Sequence, residues 1–134
     1  MGRLGEFRIA LTAADYDKTL SFYRNALGLT VLQEWPSQDG RGSLLSLGNA
    51  TLEILDEAHA AWVDRIEVGR RVSGPVRFAL KFSDLDLTLK SAVGNGARIF
   101  REPALTPWND ISARIEGPDG MQMTFFASRE ESGQ

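Results

Sequence analysis

Residues 76–89, VRFALKFSDLDLTL, decide the fold, because the chain carries the same stretch twice. Shifted by 69 residues, Asp84 lies over Asp15, and the run from Arg77 lies over RIALTAADYDKTL from Arg8. Arg, Ala, Leu, Asp, Asp, Thr and Leu coincide, seven of thirteen positions. A self-match this dense describes two copies of one unit. Function is expected where the copies face each other.

Both copies spell the same order of elements. Phe7, Ile9 and Leu11 alternate with Arg8, Ala10 and Thr12, the period of two that marks a half-buried strand. Asp15 offers an N-cap carboxylate to a helix whose face is Tyr16, Leu20, Tyr23 and Leu27. Gly28 suits the left-handed residue that ends it. LTVLQEW reads as a second strand, PSQDGRG as a turn, SLLSL as a third strand, Gly48-Asn49 as a reversal and TLEIL as a fourth strand. The second copy starts with a strand over 77–82, with Phe78, Leu80 and Phe82 inward. A helix capped by Asp84 follows, its face Leu85, Leu89, Ala92 and Val93. Strands over 97–101, 111–116 and 121–126 are joined by a loop, EPALTPWND, and a turn, GPDG.

The sequence therefore predicts one α+β domain over 1–134, with β-α-β-β-β units at 7–55 and 76–127 and a connector at 56–75. One helix covers one face of its sheet, so the other face must curl, pack on its twin or line a cavity. In the connector, DEAHAAWVDRIEV has helical character and GRRVSGP reads as linker. Arg65, Arg70 and Arg71, balanced by Asp64 and Glu67, read there as a solvated face.

Composition narrows the function classes. A net charge of −3 argues against nucleic acid or an anionic membrane as partner. With no cysteine there are no disulfides and no thiolate metal sites, which points to a reducing cytoplasm. No stretch has the apolar length of a signal peptide core or a spanning helix, so a soluble intracellular protein is expected. GPDG joins two antiparallel strands and opens no helix, so it is a hairpin turn and not a phosphate loop.

With the paired units in view, the sequence resembles the vicinal oxygen chelate superfamily, which includes glyoxalase, bleomycin-resistance proteins and extradiol dioxygenases. The resemblance rests on ALTAADYDKTLSFYRNALGL, ALKFSDLDLTLKSAVGNGARI, ATLEIL, EPALTPW and GPDGMQMTFF, in that family's order and spacing. It implies two four-stranded units forming a half-barrel cleft, usually within a homodimer. In metal-dependent members, it further implies ligands at four positions that fall here on Arg8, Glu53, Arg77 and Thr124. Only Glu53 has a ligating group suited to a divalent cation, since arginine keeps its proton and repels metal. The lone histidine, His59, sits in the connector beside Glu57 and reads as an ordinary solvent-facing residue. The expectation is a metal-free site without a cofactor.

Two readings of that quartet stand at this stage. In one, Glu53 neutralises one or both arginines in a structural salt bridge. In the other, two guanidiniums and one carboxylate leave a positive excess that holds a carboxylate, phosphate or enolate. Trp108, in EPALTPWND, is placed at the cleft mouth as a ligand-stacking residue, whereas Trp35 and Trp62 read as plugs of the rim or of a dimer seam. The expected function is binding of a small anionic or planar organic molecule by Arg8, Glu53, Arg77, Thr124 and Trp108, for resistance or sequestration. The alternative is a metal-independent lyase, isomerase or cyclase, with Arg8 and Arg77 stabilising an enolate-like anion and Glu53 as candidate base. A glutamate between two arginines makes a poor base, which favours binding.

Overall fold

The computed structural model describes residues 3–35 and 38–129. Its strands are β1 (Leu4–Thr12), β2 (Val31–Trp35), β3 (Gly42–Ser46), β4 (Thr51–Leu55), β5 (Val76–Phe82), β6 (Arg98–Leu105), β7 (Asp110–Glu116) and β8 (Gln122–Ser128). Its α-helices are α1 (Tyr16–Ser21), α2 (Glu57–Glu67) and α3 (Leu85–Gly94), with α1 running on into a π-helical turn at Phe22–Ala26. All the strands join one open sheet in the order β2-β3-β4-β1-β5-β8-β7-β6. The fold is α+β, and the units share a single curved sheet.

The strand order reads the same from both edges once each strand is matched to its repeat. β1 and β5 meet antiparallel at the centre, with Arg8 opposite Ala79, Ile9 opposite Phe78 and Ala10 opposite Arg77. Ile9 and Phe78 are also repeat counterparts, so a local twofold axis passes between them. Outward from the axis, Ala10 pairs with Glu53 on β4, and Ala79 pairs with Thr124 on β8, both in parallel register. Register alone therefore puts Arg8, Glu53, Arg77 and Thr124 on the same face, since alternate residues of a strand share a side.

The helices settle which face that is. Asp15 and Asp84 cap α1 and α3 alike, each accepting from a backbone N–H three residues on at 3.1 Å. Under α1, Tyr16 and Leu20 pack with Leu45, Leu52 and Ile54; under α3, Leu85 and Leu89 pack with Ala113, Ile115, Phe125 and Ala127. Ile9, Leu11, Leu52 and Ile54 are thereby spent on the convex side. Across the opposite, concave face lies α2, where Ala60 packs with Ala10 and Leu55.

Three local expectations change. The segment 102–105 of the expected loop continues β6, pairing with β7 through Ala104–Ser112 and Leu105–Ile111. Val93 is 46% exposed, and Thr88 is buried in its place, its hydroxyl tied to the Asp84 carbonyl at 2.8 Å. The connector is no solvated face: Asp64 and Glu67 are among the most buried charged residues described. Pro36 and Ser37 of the expected turn lie outside the described residues.

Candidate functional site

Between α2 and the concave face of the sheet is a cleft of about 290 Å³. Arg8, Glu53, Arg77, Thr124 and Trp108, the residues singled out from the sequence, all line it. The sheet supplies a polar floor and α2 an overhanging wall of His59, Trp62, Val63 and Glu67.

The two arginines have different surroundings. Arg8 donates from Nε to the Glu6 carboxylate at 3.1 Å, and its guanidinium lies 3.0 Å from Glu6 and 3.7 Å from Glu53. It is balanced by two carboxylates, as a salt-bridge reading requires. Arg77 is 6% exposed, and its one side-chain hydrogen bond among the described residues goes to the Thr124 hydroxyl at 3.0 Å. No carboxylate there lies within ion-pair distance of it. Burial lowers the guanidinium's pKa, while Glu67, Glu53 and Asp64 act at longer range to raise it. An arginine still keeps its proton, so Arg77 is a buried cation with donors to spare. Arg77 is thus the cleft guanidinium with no carboxylate at ion-pair distance among the described residues, while the lining as a whole holds three carboxylates, Glu53, Glu67 and Asp110, against Arg8 and Arg77. Glu67 and Asp110, like Glu6 beside Arg8, are absent from the sequence-based quartet.

Thr124 passes the arrangement on. Its hydroxyl accepts from Arg77 and donates to Glu67 at 2.7 Å. Glu67 accepts two bonds from Arg114, at 3.1 and 2.9 Å, and Arg114 also reaches Asp64 at 3.0 Å. Asp64 takes backbone bonds from Val72 and Ser73, a hydroxyl bond from Ser73 at 2.6 Å and an ion pair from Arg71. Burial pushes the Asp64 carboxyl up, but those hydrogen bonds and the Arg114 charge outweigh it and hold the group well below the usual carboxylate range. Through this chain the floor residue Thr124 is tied to both α2 and the linker behind it.

Aromatic rings line the rest of the cleft. Trp35, His59, Trp62 and Trp108 follow one another with ring centroids 6.0, 5.4 and 5.4 Å apart. Trp35 lies over Gly42, where a Cβ would come within 2.9 Å of its ring. Trp35 and Trp62, read from the sequence as plugs of the rim or of a dimer seam, both line the cleft beside Trp108. The solvent-facing reading of His59 is corrected: it is 6% exposed, and its Nδ1 lies 3.0 Å from the Asp39 carbonyl. Asp64, Glu67 and Arg114 were not singled out as site residues at all. The available signal was inward parity on β7, where Arg114 alternates with the core residues Ala113 and Ile115.

The metal positions implied by the resemblance do not fit a metal. Two are guanidiniums, one is a hydroxyl already bonded on both sides, and Glu53 alone is too few for a catalytic cation. Among the described residues no three His, Asp or Glu side chains group to hold one.

This cleft, set between duplicated β-α-β-β-β units that pair centre to centre, defines a class of protein. The chain belongs to the Glyoxalase/Bleomycin resistance protein/Dioxygenase superfamily, whose family model matches residues 7–125. It is similar to a probable lactoylglutathione lyase from Synechocystis sp., 27% identical over 120 residues, covering 84% of this chain and 87% of that one. In structure it is similar to a hypothetical protein from Bacillus halodurans (TM-score 0.65, 18% identity, 95% and 94% of the two chains covered). It is also similar to methylmalonyl-CoA epimerase from Streptomyces coelicolor (TM-score 0.60, 22% identity, 94% and 96% covered). No helix of the described residues is long and apolar enough to cross a membrane.

Proposed function

We propose that this protein binds a small planar organic acid in a metal-free cleft, the acid group on Arg77 and the flat body against the tryptophans. The observation that carries the proposal is Arg77 itself, a guanidinium 6% exposed with one hydrogen bond to a neutral hydroxyl. A buried charge is tolerated when it is paired, and a ligand carboxylate supplies that pair with the bidentate geometry a guanidinium favours. The tryptophans supply stacking surface at low entropic cost. Glu53 is the nearest cleft carboxylate to Arg8 and is spent on balancing it, which supports binding over use of Glu53 as a base. The lyase named for the Synechocystis relative is not carried over, because the positions where a metal would be held are Arg8 and Arg77.

All three tryptophans of the chain line the cleft, so intrinsic fluorescence reads this site. Titration with benzoate and with its neutral isostere benzamide tests the proposal. Saturable quenching, tighter for benzoate, is the expected result. Equal affinities, or no saturation by either, overturn it.

A further inference from the structure

His59 is placed to do more than fill the wall. A carbonyl oxygen only accepts, so the 3.0 Å contact between Nδ1 and the Asp39 carbonyl fixes the proton on Nδ1. In the neutral ring Nε2 is then a bare acceptor. It has no hydrogen-bond partner among the described residues, and it is not sealed away from open space. Because the residue is 6% exposed and lines the cleft, the space that Nε2 meets is the cleft.

The fixing contact is itself built in. Gly40 has φ +90, and a Cβ there would fall 2.3 Å from the His59 backbone nitrogen. Glycine at this position lets the 38–41 segment lie directly against the start of α2, which brings the Asp39 carbonyl to the imidazole. The ring's place between Trp35 and Trp62 needs no hydrogen bond from Nε2. An open acceptor on the wall of a cleft can take a hydrogen bond from a ligand donor in place of water.

We infer that His59 is a specificity-determining residue, and that the ligand class is planar aromatic acids carrying a hydroxyl or ring N–H that donates to Nε2. The inference rests on the reading of the cleft as an organic-acid site. Arg77 takes the acid, the tryptophans take the ring, and His59 selects the substituent. Sites that hydrogen-bond a ligand hydroxyl discriminate strongly against the analogue lacking it.

The test uses the full chain at pH 8, with benzoate, the three monohydroxybenzoates and the matching methoxybenzoates, each titrated by tryptophan fluorescence. At least one hydroxybenzoate is expected to bind about tenfold tighter than benzoate. Its methoxy counterpart, which has no donor, should lose that gain. His59→Phe, which keeps the aromatic run, should abolish the gain, bringing the ratio of hydroxybenzoate to benzoate affinity to about one. The inference is overturned if no hydroxybenzoate exceeds benzoate, if the methoxy compounds gain equally, or if the gain survives in His59→Phe. The ligand-side comparison stands alone should the variant fail to fold. If benzoate binds no better than benzamide, the underlying reading fails too, and that outcome is separately visible.

Discussion

Arg77 and Thr124 meet at 3.0 Å across the β5–β8 ladder, a buried cation facing a hydroxyl where a carboxylate would neutralise it. The pair separates stability from function. Replacing a buried, poorly paired charge with an apolar chain is often neutral or stabilising. Arg77→Met should therefore leave the melting temperature unchanged or raised, while weakening benzoate by at least about tenfold. Thermal unfolding and the same fluorescence titration check both halves. A destabilised variant with intact benzoate affinity would contradict the assignment.

Glu67 presents the opposite case. It is 3% exposed and joined to Arg114, which is fully buried. Glu67→Gln removes one of the two carboxylates on that guanidinium, Asp64 remaining, and should cost about 1–3 kcal/mol in urea unfolding. A loss below about 1 kcal/mol would mean that the network does not hold α2.

Acid should loosen the same network. The folded pKa of Asp64 is depressed below its unfolded value near 3.9. Its contribution is therefore fully present above the unfolded value and declines as pH falls below it toward the folded one. The melting temperature should drop between about pH 4 and 2, and Asp64→Asn, though less stable throughout, should show a shallower drop. Parallel slopes for the two proteins would assign the acid sensitivity elsewhere.

Gly40→Ala places a Cβ 2.3 Å from the His59 nitrogen and 2.6 Å from the Asp56 carboxylate, at a φ of +90. Strain of this kind costs about 1–3 kcal/mol, and relief requires the 38–41 segment to move off α2. The Asp39–His59 contact then breaks. Nitrogen NMR of the imidazole should report the Nδ1–H tautomer in the parent protein and a mixture in the variant.

Metal should be dispensable. Benzoate affinity is expected to be the same before and after exhaustive chelation, since the cleft offers Arg8 and Arg77 where cation ligands would stand. Affinity that falls on chelation and returns with one divalent ion would overturn the metal-free reading.

Much of this was legible in the residues. The repeat announced two like units, and alternation set Arg8 and Arg77 on the sides away from their helices, while Glu53 and Thr124 joined them only through the family resemblance. What stayed hidden lay in α2, which has no counterpart in the repeat. Its inner face carries His59, Ala60, Val63, Asp64 and Glu67, at helical spacing but with three ionisable members. Hydropathy assigns such residues to solvent. Arg114, 50 residues on from Asp64, pairs with both Asp64 and Glu67, and pairing at that separation leaves no periodic trace. For the same reason Trp35 and Trp62 read as plugs: their role depends on where α2 crosses the sheet.

The antiparallel joint between β1 and β5 has a kinetic corollary. Because it makes both units part of a single sheet, the floor of the cleft is held by backbone hydrogen bonds. The overhanging helix is pinned to the floor by Arg114. The cleft is a jaw without a hinge. Ligands should enter and leave at rates governed by encounter and desolvation, with no slow gating phase in stopped-flow traces.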